Sequence, residues 1–290
     1  MKALFLIFKS ITNKLLEKRP SKEGLFSLIK NMNITIINDC RDANASGRQI
    51  TRVTSLLGSQ VSFIGVTNDL EAAGNLVDTL DALEENPGVV LVNVAPRNGK
   101  AKKWKNGTPF GYFWHKKILI LSSIDGFTLS LVKKLELTKF INVLEVPRTL
   151  DQLIAYGVLS KKLKNSIART QFRSYEFLPR VAAFLVQGKK LQSTKLNIKN
   201  IPDMPLAIWW IDNFGNCKTT LLSEDMKYKI YFSEKFNALT HLPRLKDVPN
   251  ETAAIITGSS GLGEKRFLEI VVQGGSAAKK LNISVGELNV

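Results

Sequence analysis

Between Gly88 and Val94 the chain carries an almost unbroken aliphatic run with no polar alternation. A strand of that kind is buried on both faces, which happens in a mostly parallel sheet covered by helices on both sides. Ile118 to Leu121 has the same character. Asn33 to Asn38, with Ile34, Ile36 and Ile37, reads as a first strand, and Val61 to Val66 as a second. Segments from about Ser46 to Leu57, and at Leu70 to Leu83, Thr128 to Leu135, Leu150 to Leu163 and Phe177 to Gly188, read as helices. Alternating strands and helices predict an α/β domain with a mostly parallel sheet. Ligands of such sheets sit beyond the carboxyl ends of the strands. Asp39, Pro96-Arg97-Asn98-Gly99 and Asp125-Gly126 all fall at such ends.

At 290 residues the chain has room for two domains. The polar, proline-bearing stretch 191–205 reads as a linker between an α/β domain at 32–190 and a smaller β domain at 206–290. In the latter, Ile230-Tyr231-Phe232, Ala253 to Thr257 and Phe267 to Val272 read as strands, and Ser276 to Leu281 as a helix. Residues 1–31 form a basic extension. It starts like a signal peptide, but its apolar stretch is too short and no small-residue cleavage site follows. Its leucines suggest short amphipathic helices broken near Pro20. Three readings stay open: a segment lying on an anionic membrane, a cap on the core, or an artefact of start-site choice ahead of Met32.

Composition narrows the function classes. Hydrophobic residues make up 44% and charged residues 23%, as in soluble globular proteins. No apolar run reaches the roughly 20 residues of a membrane span. Cys40 and Cys217 make no disulfide framework, and His115 and His241 lie far apart, so no metal site is expected. A reducing, cytoplasmic setting is the expectation. The net charge of +16 suits anionic partners such as nucleic acid, nucleotides or a membrane surface. It equally suits a lysine-rich, solvated surface, since the lysines are scattered along the sequence.

The segment Ile211-Asp212-Asn213-Phe214-Gly215-Asn216-Cys217-Lys218-Thr219-Thr220 follows an apolar run, Leu206 to Trp210. Asp212 can bind an ammonium, Phe214 can cover a flat ring, and Asn216 can pair with a base edge. Gly215 lets the backbone turn. Taken alone, this is also an ordinary strand running into a loop.

Four segments in order change that reading. Ile34 to Asp39 resembles the opening strand and acidic loop of the S-adenosylmethionine hydroxide adenosyltransferases, a superfamily that includes the fluorinase and chlorinase. Val94-Ala95-Pro96-Arg97-Asn98-Gly99 resembles the family's V-D-P-G-V-G loop. Phe172-Arg173-Ser174-Tyr175-Glu176, running into Ala182 to Gly188, is similar to its F-H-G-R-D segment and following helix. Ile211 to Thr220 is similar to its I-D-x-F-G-N-x-x-T-N strand. Gly258-Ser259-Ser260-Gly261, Leu268-Glu269-Ile270 and Gly275-Ser276-Ala277-Ala278 resemble its ending. The resemblance spans about residues 33 to 290.

The resemblance implies an N-terminal α/β domain and a smaller, β-barrel-like C-terminal domain. It also implies a homotrimer with sites between subunits, and S-adenosylmethionine as substrate with no further cofactor. Asp39 would take the ribose hydroxyls, Asp212 the methionine ammonium and Asn216 the adenine edge. Ser259 and Ser260 would lie near the adenine or the methionine carboxylate. The implied reaction is displacement at ribose C5′, giving methionine and adenosine, or a 5′-substituted adenosine.

The family's water-activating Asp-Arg-His set is not retained. Ala95, Lys102 and Arg173 stand at those positions, and Ser123-Ile124-Asp125-Gly126 keeps little of another family loop. The segment around Ser174 is close to the halogenases' F-Y-S-R-E. Candidate catalytic residues are therefore Arg173, Ser174, Asn98 and Lys102, as donors to an anion. Two alternatives stand beside catalysis: an inactive S-adenosylmethionine or adenosine binder, and a basic protein that contacts nucleic acid or membrane. Cys40 and Cys217 fall in the two ligand-facing motifs, where they could approach one another, but they read better as small buried fillers.

Overall fold

A computed structural model describes residues 32–95, 108–225 and 239–287. The first part alternates as β1 (Asn33–Asn38), α1 (Ala43–Leu57), β2 (Val61–Gly65), α2 (Asp69–Leu83) and β3 (Gly88–Asn93). It continues with β4 (Phe110–His115), β5 (Ile118–Ser123), α3 (Ser130–Lys134), β6 (Phe140–Leu144), α4 (Val146–Ala155), α5 (Lys161–Arg169), α6 (Arg173–Glu176), α7 (Leu178–Leu185) and β7 (Thr194–Asn197). These strands form one sheet in the order β2-β1-β3-β5-β4-β6-β7. β2, β1, β3 and β5 pair in parallel, and β4, β6 and β7 extend the sheet by antiparallel ladders, so five of the seven strands share one direction.

The helix starts follow side-chain chemistry. Asp42 caps α1 by accepting from the Asn44 and Ala45 N–H groups, and Gly58, at φ 67°, ends it in the left-handed region. Asn68 caps α2 through the Glu71 N–H, while Glu71 reaches back to the Thr67 N–H and hydroxyl.

The run Gly88–Asn93 is buried along its whole length. Val89 and Leu91 face one core with Ile34, Ile36, Val53, Leu150 and Phe184. Val90 and Val92 face the other with Ile37, Leu76, Leu80 and Val132. Thus α1 and α4 to α7 cover one face, and α2 and α3 the other.

The sequence expectations need several corrections. The helix expected over Leu150 to Leu163 is two helices, α4 and α5, because Gly157 turns the chain at φ 70° between them. The segment Phe177 to Gly188 contributes α7 and is preceded by the one-turn α6. The stretch taken as a linker supplies β7, whose polar sequence and exposure suit an edge strand. β4 and β6 were not anticipated; Gly111 in β4 and the partly exposed face of β6 weaken their apolar pattern. Residues 1–31, Pro96 to Lys102 and Ile230-Tyr231-Phe232 lie outside the described residues.

The second part is the expected β domain. β8 (Ala207–Ile211), β9 (Cys217–Leu222), β10 (Thr240–Leu242), β11 (Ala253–Leu262), β12 (Lys265–Val272) and β13 (Gly286–Glu287) form a sheet ordered β10-β11-β12-β9-β8-β13. α8 (Ala277–Leu281) packs on its core with Ile208, Ile255, Leu268 and Ile270. This sheet rests on α2 and α3. Leu222 and Phe267 meet Ala73, Val77 and Leu131, and Trp209 meets Leu70. Gly74 makes the closest approach possible, since a Cβ there would stand 2.2 Å from the Trp209 ring. A helix-interior glycine costs about 1 kcal/mol against alanine, and here it admits a fully buried indole.

Candidate functional site

α1 leaves β1 on one face of the first sheet, and α2 enters β3 from the other. The crevice between the carboxyl ends of β1 and β3 is therefore the switch point of the sheet. Asp39 sits there. Its Oδ2 accepts from the Ala95 N–H at 3.1 Å, which ties the loop after β1 to the loop after β3. The Val94 N–H donates to Ser123 Oγ at 3.2 Å and brings in the end of β5. Underneath, buried Asn38 donates to buried Gln49 Oε1 at 3.0 Å and accepts from the Cys40 N–H at 2.8 Å. The Ser123 to Gly126 loop turns at Gly126, φ 68°, against Asp69 Oδ2, which accepts from the Phe127 N–H.

Arg173 and Ser174 lie on α6, which packs against β3. Arg173 Nε and Ser174 Oγ are buried and find no hydrogen-bond partner among the described residues. Burial pushes the Arg173 guanidinium below its ordinary value. Unpaired buried donors of this kind suit an anion. Asn98 and Lys102, placed beside them by the sequence reading, lie outside the described residues.

The Asp212 loop closes the β8–β9 hairpin. Asp212 Oδ1 accepts from the Phe214 and Asn216 N–H groups, both at 2.9 Å, and Oδ2 accepts from Asn216 Nδ2 at 3.0 Å. A carboxylate offers about four lone-pair sites, so one is left for an ammonium. Asn216 likewise keeps one N–H and its carbonyl for a base edge. Phe214 projects 71% exposed. Gly215 adopts φ 86°, and its carbonyl accepts from the Ala278 N–H, docking the loop on α8.

Ser259 is exposed, whereas Ser260 is buried and already engaged. Ser260 Oγ donates to Asp78 Oδ2 at 2.8 Å and accepts from Lys218 Nζ at 2.5 Å. Asp78 and Asp81, three apart on α2, clasp the β11–β12 turn. Asp78 accepts from the Gly261 N–H, and Asp81 from the Gly263 N–H and Arg266. Beside them Glu269 is 7% exposed with Oε1 unpartnered. Burial, partly opposed by Lys218 and reinforced by Asp212 and Asp78, lifts the Glu269 carboxyl above its ordinary value. Burial also lifts Asp78, against the Gly261 N–H, Ser260 and Lys218. The sequence reading quoted Glu269 and Lys218 within family-like motifs but gave them no role, and it did not name Asp78. The available signal was a lone glutamate within the otherwise apolar Phe267 to Val272.

The structure thus gathers Asp212, Phe214 and Asn216 in one loop, and places Asp39 at the end of another sheet. α2 stands between the two sheets, so within one chain Asp39 and Asp212 belong to different layers. Cys40 is half-buried on the first sheet and Cys217 is buried in the second. Burial, then Asp212, pushes the Cys217 thiol up to about 12, which makes it inert. Among the described residues no cluster of three His, Cys, Asp or Glu could hold a metal, and no helix is long and apolar enough to cross a membrane.

Comparison with known proteins agrees with this architecture. Residues 206–288 match the S-adenosylmethionine hydroxide adenosyltransferase C-terminal domain. An uncharacterised conserved protein from Thermotoga maritima is 17% identical with a TM-score of 0.60, covering 88% of this chain and 97% of its own. A conserved hypothetical protein from Thermus thermophilus is 16% identical with a TM-score of 0.51, over the same shares. A search of curated proteins finds no match. The hairpin that presents Asp212, Phe214 and Asn216 falls inside the segment that is similar to the S-adenosylmethionine hydroxide adenosyltransferase C-terminal domain.

Proposed function

We propose that this chain binds S-adenosylmethionine and splits it by nucleophilic displacement at ribose C5′. The observation that carries the reading is the preformed Asp212–Asn216 loop within the matched domain. Asp212 Oδ2 takes the methionine ammonium, Asn216 the adenine edge, and Phe214 covers the ring. Asp39 takes the ribose hydroxyls, a diol for which a carboxylate is a good acceptor. Ser259, exposed next to the clasped turn, suits the ligand better than Ser260, which Asp78 and Lys218 already use. Because α2 separates the layers of Asp39 and Asp212, this reading draws Asp39 from one subunit and Asp212 from a neighbour, and the homotrimer is what the family resemblance implies.

In the reaction a bond forms from the nucleophile to C5′ as the C5′–S bond breaks. Sulfur keeps the electron pair and leaves as a neutral thioether, so no general acid is needed. An anion meeting a sulfonium cancels charge, which a dry pocket favours, and in-line positioning lowers the barrier further. Ala95 supplies no carboxylate to deprotonate water. An incoming group that is already an anion fits better, held by Arg173 and Ser174; Asn98 and Lys102 are further candidates on the sequence alone. The alternative is a binder without turnover, favoured by the same loss at Ala95 and by Asp212 already bracing its own loop.

The test is incubation of purified protein with S-adenosylmethionine, with and without halide, followed by chromatography with mass detection and an Asp212→Ala control. Methionine above the control supports cleavage, and the mass of the adenosine product identifies the nucleophile. Calorimetric binding without product would leave the non-catalytic binder.

A further inference from the structure

The helical layer on the face of the first sheet away from the second domain has an unusual charge make-up. Residues 41–57 and 161–185, which supply four of the layer's five helices, α1, α5, α6 and α7, carry nine cations and two carboxylates, Asp42 and Glu176, while α4 adds Arg148 and Asp151, the latter paired with Lys164. The chain as a whole prefers lysine, with thirty lysines to eleven arginines. In this layer the preference reverses, and Arg41, Arg48, Arg52, Arg169, Arg173 and Arg180 make up six of the eleven arginines. A generally lysine-rich surface does not produce that reversal. Arginine is favoured where planar, forked donors meet phosphate or stack on flat rings.

The arginines are organised around an aromatic pair. Phe172 and Tyr175 stack at 5.4 Å between centroids and 27° between planes. Exposed Arg48 lies over both, at 5.3 Å from Phe172 and 4.7 Å from Tyr175. Arg52, one turn along α1, lies 4.4 Å from the Tyr175 ring and donates to its hydroxyl at 2.6 Å. Glu176 is shared between Arg52 and Arg180, at 3.5 Å and 3.0 Å, so one carboxylate serves two guanidiniums. Arg41, Lys161, Lys162 and Arg169 are exposed on the same layer.

From this we infer that the α1–α5–α6 layer is a binding surface for single-stranded nucleic acid, with Arg48 on the Phe172–Tyr175 pair as its stacking platform. Arg48 is exposed over the aromatic pair, and an exposed guanidinium there can stack on unpaired bases. Lys161, Lys162 and Arg169 supply the phosphate contacts that track a backbone. The platform residues Arg48, Phe172 and Tyr175 take no part in the proposed S-adenosylmethionine cleavage, although α6 also carries Arg173 and Ser174.

The test uses the full chain and a fluorescently labelled mixed-sequence single-stranded RNA, read by anisotropy. Wild type binds, and its affinity falls steeply between about 50 and about 200 mM salt. Arg48→Ala weakens binding roughly tenfold and Arg48→Lys by a smaller factor, because stacking is lost while charge is kept. Lys162→Ala with Arg169→Ala lowers the salt slope by about 1.4. Lys279→Ala with Lys280→Ala, on α8 of the other domain, leaves affinity unchanged, and circular dichroism melts confirm that each variant is folded. Any of four results overturns the inference: no binding at low salt, an equal loss in the α8 variant, equal affinity for duplex RNA of the same phosphate count, or equal competition by polyglutamate of matched charge.

Discussion

Asp39 and Asp212 are both acids just past the end of a strand, yet their loops are held in different ways. The Asp212 loop is closed by bonds within five residues, from its own carboxylate to Phe214 and Asn216. The Asp39 loop is assembled from three distant segments: Ala95 after β3, Ser123 at the end of β5 behind it, and the Asn38–Gln49 amide pair beneath. A local loop keeps its shape with little help from the fold, whereas an assembled loop exists only once the sheet has formed. A ligand that uses both is gripped by one surface that is always ready and one that depends on the whole first domain.

The largest effect expected at these loops is from Gly215→Ala. It forces a side chain into the left-handed region and puts a Cβ 2.0 Å from Ser276 Oγ. We expect a loss of about 2–4 kcal/mol in chemical denaturation, with faster hydrogen exchange confined to the β8–β9 hairpin and α8. Exchange that also quickened in the loop after β1 would break the comparison. Asn38→Ala leaves Gln49 Oε1 and the Cys40 N–H without their buried partner, at about 1–3 kcal/mol. Here faster exchange should spread through the loops after β1 and β3 and the start of α1. A response limited to residues beside Asn38 would make the Asp39 loop as local as the other.

The smallest effect concerns the junction between the two regions. A carboxyl raised on folding holds its proton more tightly in the folded state, so its contribution to stability is present at low pH and is lost as pH rises through the folded value. Glu269 is such a group, chiefly by burial. Glu269→Gln should melt about 2 °C above wild type at neutral pH, with the difference shrinking toward about pH 4. A difference that grew on acidification would mean that Glu269 is ionised and stabilising.

The same contrast explains what could be read from the sequence. β1, β3, β5, α1 and α2 were legible because each is long and apolar on the faces the sheet requires. The Asp212 loop was legible because its partners are near neighbours in the chain. β4, β6 and β7 were missed because strands beyond the parallel core carry glycine, exposed aromatics and polar residues. Asp78 was invisible as a partner of Ser260, since 182 residues separate them. The pairing of Arg48 with Phe172 and Tyr175 was hidden for the same reason.

α2 contributes to both halves at once, with Leu76 and Leu80 turned to the first sheet and Ala73, Val77 and the Gly74 notch turned to the second. The segment that matches the C-terminal family domain starts at residue 206, but Trp209 is seated on a helix that ends at Leu83. Family similarity and cooperativity therefore draw different borders here. A fragment cut at the border of the match would expose an indole with no notch to receive it, and calorimetry of the whole chain should record one melting event rather than two.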